Sequence, residues 1–297
     1  MFKLRYGMLI TGLTTGFILL ATFFSSLPDG KLHIVFCDVG QGDAAYIRFP
    51  DGRDMLVDTG PRSARILTCL TSQMPFWDRS LDIVMITHPE KDHIGGAAEV
   101  LRRYSVGYVV RPNIDHTSEI YQEFRKVQQE KSIPEKYVDR GQSVAIGNTR
   151  LSLLWPTEEK LASMRPQTNI AGASTATHLN DASVVFALSY GEFDAVFTGD
   201  ADTRVENGYV DTEVSVDPIE VLKVPHHGSR TGFSKEFIDW ISPDLAVISV
   251  GKNSYGHPHQ DILKKLADNN IRVLRTDQEG DIEIVSDGKS WTVKKNR

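Results

Sequence analysis

The order of apolar and polar positions divides the chain into two unequal parts. Residues 6–28 carry no charged side chain and include the apolar run Gly16-Phe-Ile-Leu-Leu-Ala-Thr-Phe-Phe24. From Lys31 onward, short runs with strand character alternate with amphipathic stretches. Leu32–Cys37, Ala44–Phe49 and Met55–Asp58 read as strands separated by glycine-containing turns. Arg62–Met74 has helical spacing, and Asp82–Thr87 is a continuous apolar run suited to a strand buried on both faces. A helix over Gly95–Tyr104, a strand over Val106–Val110 and a charged, exposed helix over Ser118–Lys131 follow. Further strands are predicted at Arg150–Trp155, Ser183–Tyr190, Asp194–Thr198, Ile219–Val224, Leu245–Val250, Val273–Thr276 and Asp281–Val285, with helices near Ser234–Trp240 and His259–Asn269. Arg165–Asp181 is the one long stretch without periodicity, a length that in a compact domain marks a functional or mobile loop. No internal repeat interrupts this series. It predicts one α/β domain over residues 31–297, with two sheets sandwiched between helices.

The first segment, residues 1–28, calls for a separate reading. Lys3 and Arg5 precede it, and about 20 apolar residues suffice to cross a bilayer. An uncleaved membrane anchor is the preferred expectation, because the run is longer than a typical signal core and no A-x-A site follows it. A cleaved signal peptide, with Ser25-Ser26 near the cut, is the alternative. Both place the remaining chain outside the cytoplasmic membrane, as a membrane-tethered or a secreted or periplasmic domain.

Composition narrows the function classes. The net charge of −6 argues against a broad basic surface that grips nucleic acid without specificity, while leaving room for a local patch. Two cysteines, Cys37 and Cys69, form no disulfide framework, so a zinc site would rest on histidine and carboxylate; Cys37 reads as a buried strand residue.

Candidate chemistry collects where predicted strands end, the place at which α/β folds put their ligand sites. His88-Pro-Glu90-Lys91-Asp92-His93 follows the Asp82–Thr87 strand, and Pro89 turns the chain there. A turn offering two histidines and two carboxylates can gather ligands around one or two divalent cations. Three later strand ends repeat the design: Thr198-Gly-Asp200, Lys223-Val-Pro-His226-His227-Gly-Ser229 and Tyr255-Gly-His257-Pro-His259. Asp38, Asp43 and Asp58 sit beside glycines and read as supports for the site rather than ligands. His33, His116 and His178 have no companion motif and read as surface or hydrogen-bonded residues.

Together with Val35-Phe-Cys-Asp-Val-Gly-Gln-Gly-Asp43, Val57-Asp-Thr-Gly60, Asn180-Asp-Ala-Ser183 and Arg275-Thr-Asp277, these stretches resemble the metallo-β-lactamase fold superfamily. More closely, they are similar to the extracellular hydrolase domain of the ComEC-type competence proteins. The resemblance spans about residues 31–290 and implies a four-layer αββα sandwich. It further implies that His88 binds a first metal, that Asp92 and His93 bind a second, and that Asp200 bridges them. One histidine of the pair completes the second site while the other faces substrate; which is which stays open, with His226 taken as the ligand and His227 as the catalytic residue. Glu90 stands where the superfamily commonly has a histidine ligand, and Asn180 falls near another such position. The first site is therefore the poorer in donors, and its oxygen content favours Mn²⁺ beside Zn²⁺.

These roles imply a metal-dependent hydrolase in which Asp92 or Asp200 orients a water and in which His227 and His257 stabilise charge developing on a phosphoryl group. Asn180, Ser229, His257 and Lys223 are the candidate substrate contacts. Lys223 is alternatively a strand lysine that points away, and Ser229 alternatively a helix cap. The leading expectation is a phosphodiesterase, plausibly a nuclease acting on DNA. Alternatives are a hydrolase of cell-envelope phosphodiesters such as phosphorylcholine esters, a hydrolase of other esters or lactones, and a non-catalytic partner of a competence or envelope complex.

Overall fold

The computed structural model describes residues 11–18, 20, 27–165, 178–210 and 219–296. Most of the aperiodic stretch Arg165–Asp181 lies outside them. Two sheets form the centre. The first contains, from edge to edge, β15 (Trp291–Lys295), β14 (Ile282–Ser286), β1 (Leu32–Phe36), β2 (Ala45–Arg48), β3 (Asp54–Val57), β4 (Ser80–Met85), β5 (Ser105–Arg111) and β6 (Glu135–Tyr137). The second contains β13 (Arg272–Arg275), β12 (Leu245–Ile248), β11 (Val221–Lys223), β10 (Phe193–Phe197), β9 (Val185–Tyr190), β8 (Thr149–Trp155) and β7 (Ser143–Ile146).

Side-chain alternation divides the apolar residues among three interfaces. Ile34, Phe36, Ile47, Met55 and Val57 meet Leu151, Phe186, Phe197 and Val247 between the sheets, where Phe36 and Phe186 stack on Phe197. Val35, Tyr46, Leu56 and Val84 face the helices Arg65–Gln73, Ala97–Arg103 and Glu119–Glu130 on one outer side. Leu154, Val196, Leu222 and Ala246 face Lys235–Ile241 and Gln260–Asp268 on the other. The result is the expected α/β sandwich, two sheets flanked by helices. Local signals set the helix starts. Ser118, Thr157 and Ser234 each accept a hydrogen bond from the backbone N–H three residues on. His259 caps the Gln260–Asp268 helix in the same way, through Asp261 N–H.

Parallel pairing runs through β3–β6 in one sheet and β10–β13 in the other. The turns after β3, β4, β10, β11 and β12 therefore leave the carboxyl ends of parallel strands, and these turns carry Asp58, His88, Asp200, the His226-His227 pair and His257.

Two expectations need correction. Among the described residues no helix is long and apolar enough to cross a membrane; the described helix near the N-terminus covers residues 11–18. The expected membrane anchor is overturned on that ground, and the placement of the domain outside the cytoplasm loses its premise. The cysteines, read as unrelated, form a disulfide: Cys37, just beyond β1, is bonded to Cys69 on the Arg65–Gln73 helix with Cα atoms 5.9 Å apart. Their separation of 32 residues in sequence concealed a contact that only sheet-to-helix packing creates.

Closing a loop of that length stabilises by about 4 kcal/mol in the chain-entropy model. Cys69→Ser is expected to lower the urea-unfolding free energy by about that amount, and reduction of the parent protein should reproduce the loss. A second expectation concerns His33, whose Nδ1 lies 2.8 Å from Glu283 Oε1 and whose Nε2 lies 3.1 Å from Asp29 Oδ1. The bond to Glu283, opposed by burial and assisted by Asp29, raises its pKa above the ordinary 6.5. A raised folded pKa contributes stability that is present below the unfolded value and fades as pH climbs through the folded one. Urea titrations of His33→Gln should thus show a larger deficit at pH 6 than at pH 9.

Candidate metal centre

His88 is wholly buried just past the end of β4, where Pro89 breaks the strand. Its Nδ1 lies 3.1 Å from both Thr87 Oγ1 and Ser183 Oγ, which leaves Nε2 buried with no hydrogen-bond partner. His93 follows on the short helix Lys91–Ile94. Its Nδ1 is 2.8 Å from Asp58 Oδ2, and Asp58 is itself fixed by Thr87 N–H at 2.8 Å and Thr87 Oγ1 at 2.7 Å. The carboxylate accepts the Nδ1 proton and turns Nε2 toward Asp200 Oδ1, 3.2 Å away. Asp200 leaves β10 through Gly199, which has φ +50°, and its backbone N–H donates to Ser183 Oγ at 3.1 Å.

The His226-His227 pair has unusual backbone. Both residues are left-handed, with φ 50° and 53°, in a turn entered through Pro225. Side chains without glycine's freedom pay about 1–3 kcal/mol each for that conformation, and here it sends the two imidazoles in different directions. His227 is buried: Nδ1 donates to Ser249 O at 2.9 Å and lies 3.2 Å from Asp43 Oδ1, while Nε2 lies 3.4 Å from Asp92 Oδ2 and 3.6 Å from Asp200 Oδ2. His226 is a quarter exposed, 3.2 Å from Asn180 Nδ2 and 3.8 Å from both Asp200 Oδ2 and Asp202 Oδ2. The inner position thus falls to His227 and the outer to His226, a choice that the sequence left open.

Four overlapping groups of donor atoms result. His88, His93 and Asp200 form one, and Asp92, His93 and His227 a second; Asp43 joins His227 with Asp200, and Asp58 with His93, in the others. The buried atoms without a hydrogen-bond partner include His88 Nε2, His93 Nε2, Asp200 Oδ1 and His227 Nε2. Such atoms are rare in folded proteins and cost about 1–3 kcal/mol each. Four on neighbouring residues, all imidazole nitrogen or carboxylate oxygen, fit one or two divalent cations.

The buried histidines of the centre differ in charge. Burial, with His93 beside it, pushes His88 down to about 3 and keeps it neutral, as a ligand must be. Burial opposes ionisation of Asp200, but His227 and His93 outweigh it and hold the carboxyl well below its usual range. Asp92 is likewise lowered against burial, by the neighbouring His227 and by His93. Burial also opposes charge on His93 and His227, yet Asp200 raises both, His227 to about 10.

Glu90 is half-buried, caps the start of Lys91–Ile94 and joins none of the four groups; burial and then the nearby Asp200 and Asp92 raise its pKa. Lys223 does not point away. Its buried ammonium donates to Gly199 O at 3.1 Å and pairs with Asp43 beneath the centre. Ser229 Oγ contacts Thr231 Oγ1 at 3.4 Å and no member of the four groups. His257 stands outside His226, their rings 5.6 Å apart and nearly perpendicular; burial and the two histidines lower its pKa to about 4. His33 and His116 are engaged elsewhere, and His178 is exposed. Sequence reasoning missed Ser183 and Thr87 as the pair that orients His88, although both flank motif residues, and it missed Asp202 beside His226.

The model of the metallo-beta-lactamase superfamily matches residues 37–252. The chain is 30% identical over 272 residues to the ComE operon protein 3 of Bacillus subtilis, covering 86% of this chain and 33% of that protein. It is 25% identical over 265 residues to Recombination protein 2 of Haemophilus influenzae, covering 88% and 30%. The chain thus spans about a third of the length of these relatives. Among solved structures it is similar to CmlA, a diiron β-hydroxylase from Streptomyces venezuelae, with TM-score 0.54, 14% identity, and coverage of 87% of this chain and 54% of that one. That likeness concerns the fold alone.

If Asp58 orients His93, Asp58→Asn should weaken Zn²⁺ affinity by about 10- to 100-fold, read by competition with a chromophoric chelator. Gly42 has φ +143°, and a Cβ there would collide with the Asp92 carbonyl oxygen. Gly42→Ala should therefore also lower metal affinity, with far-UV circular dichroism unchanged.

Proposed function

Since the chain belongs to the metallo-β-lactamase superfamily, we propose that residues 31–297 form a metal-dependent phosphodiesterase, with DNA as a candidate substrate. The observation that carries this reading is the set of unpartnered, buried ligand atoms on His88, His93, Asp200 and His227. In this proposal Asp92, His93 and His227 hold one cation, while His88 and Asp200 offer a second position. A divalent cation bound there supplies Lewis acidity, which activates a water and offsets negative charge on a phosphoryl oxygen.

The chain's own residues supply orientation. Asp58 keeps the His93 proton on Nδ1, and Ser249 O does the same for His227. Asn180 Nδ2 lies 3.2 Å from the part-exposed His226, and in this reading the two donate to non-bridging oxygens of a bound diester. His257, packed against His226, narrows the approach. Lys223 offsets the charge of Asp43 from below, so its cation belongs to the scaffold and not to substrate. Similarity to proteins named for competence operons and recombination favours a nucleic-acid diester. The net charge of −6 favours the second reading, a small envelope phosphodiester or another ester or lactone.

Purified protein loaded with Mn²⁺ or Zn²⁺ and assayed against single-stranded DNA, bis-p-nitrophenyl phosphate and a lactone panel separates these readings. Cleavage of the diesters is expected, with a loss of at least about 100-fold in Asp200→Ala. Activity that survives this substitution would sink the proposed centre. His227→Ala should release metal where His226→Ala retains it and loses turnover, as elemental analysis of the two variants would show.

A further inference from the structure

Far from the histidines, the sandwich opens. At the side where β6 and β7 form the edges of the two sheets, a cleft of about 360 Å³ enters between them. Its floor is apolar, built from Met55, Met85, Val110, Ile146, Leu151 and Leu153. Residues 138–142, which carry the chain from β6 to β7, cross one end.

Twisted sheets splay at their corners, and a corner filled by water would be lined with polar side chains. This one is not. Tyr108 lies two residues before Val110 on β5, and Val144 two before Ile146 on β7, so alternation turns both toward the opposite sheet. Each is nonetheless 44% exposed. Lys136 is paired in register with Val110 and shares that face. Its ammonium rests 4.9 Å from the centroid of the Tyr108 ring, and no carboxylate among the described residues lies within ion-pairing distance of it. Of the other charged residues in the lining, Arg53 pairs with Asp51, and the exposed Asp82 accepts the Asp54 N–H through Oδ2.

An apolar slot at the lower end of the size range of small-molecule sites (about 300–1,000 Å³), with one unmatched cation at its mouth, selects for an apolar tail bearing one negative charge. We propose that this inter-sheet cleft is a binding site for a single-chain amphiphilic carboxylate, its alkyl chain between the sheets and its carboxylate on Lys136. The volume suits one acyl chain, not a two-chain lipid. The site is independent of the phosphodiesterase reading.

The test is calorimetric titration of the full chain with monomeric dodecanoate and, separately, dodecanol. Dodecanoate should bind saturably at one per chain. Val144→Trp, which fills the mouth from an exposed position, should abolish binding of both while circular dichroism and metal content stay as in the parent. Lys136→Glu should weaken dodecanoate by about fivefold, the value of one exposed charge pair, and leave dodecanol unchanged. Absence of saturable dodecanoate binding overturns the proposal. So does binding that Val144→Trp leaves intact, or a Lys136→Glu effect that is equal for the alcohol or absent for the acid.

Discussion

One buried carboxylate ties together the ends of two parallel strands and the short helix that follows them. Asp58 ends β3, takes two hydrogen bonds from Thr87 at the end of β4, and a third from His93 on the helix beyond. Burial raises its pKa, and the neighbouring His93 only partly offsets that cost. A carboxylate in such a place persists because every bond it accepts is short and none can be replaced by water. Its backbone N–H is anchored in turn by the Met85 carbonyl at 2.8 Å. The orientation of His93, and through Thr87 that of His88, follows from this one residue. The same logic recurs on the other sheet, where Ser183 holds both His88 and the Asp200 backbone.

A buried ion pair supports the centre from below. Asp43 reaches Lys223, His227 and, more distantly, His93. Coulombic attraction from Lys223 and His227 overcomes the burial that would otherwise keep Asp43 neutral. Removing one member of such a pair leaves an uncompensated charge in the interior, a more severe change than removing both. Lys223 and Asp43 are therefore best regarded as one unit of scaffold, even though the lysine lies three residues from the histidine pair.

Much of this was legible before any coordinates. Runs such as Asp82–Thr87 named their own strands, and the repeated pattern of strand, breaker and histidine or aspartate marked where the sheets would present chemistry. What the sequence concealed was direction. The paired histidines have side-chain orientations set by a left-handed turn that no periodicity announces, and Lys223, at the end of β11, turns inward to Asp43. The disulfide was hidden because helix packing against β1, not spacing, brings Cys37 to Cys69. The N-terminal run misled for a different reason: apolar composition over residues 6–28 suggested a span, whereas the described helix there covers residues 11–18.

The left-handed histidines place positions 226 and 227 under opposed demands. Their backbone would be more comfortable as glycine, whereas the turn carries an imidazole at both. Replacement by glycine would relieve strain while removing the groups for which the strain is held. Improved resistance to unfolding and a failing site would then arrive in the same variant. At these two positions stability and chemistry are in direct opposition, and the present residues record which of the two has been favoured.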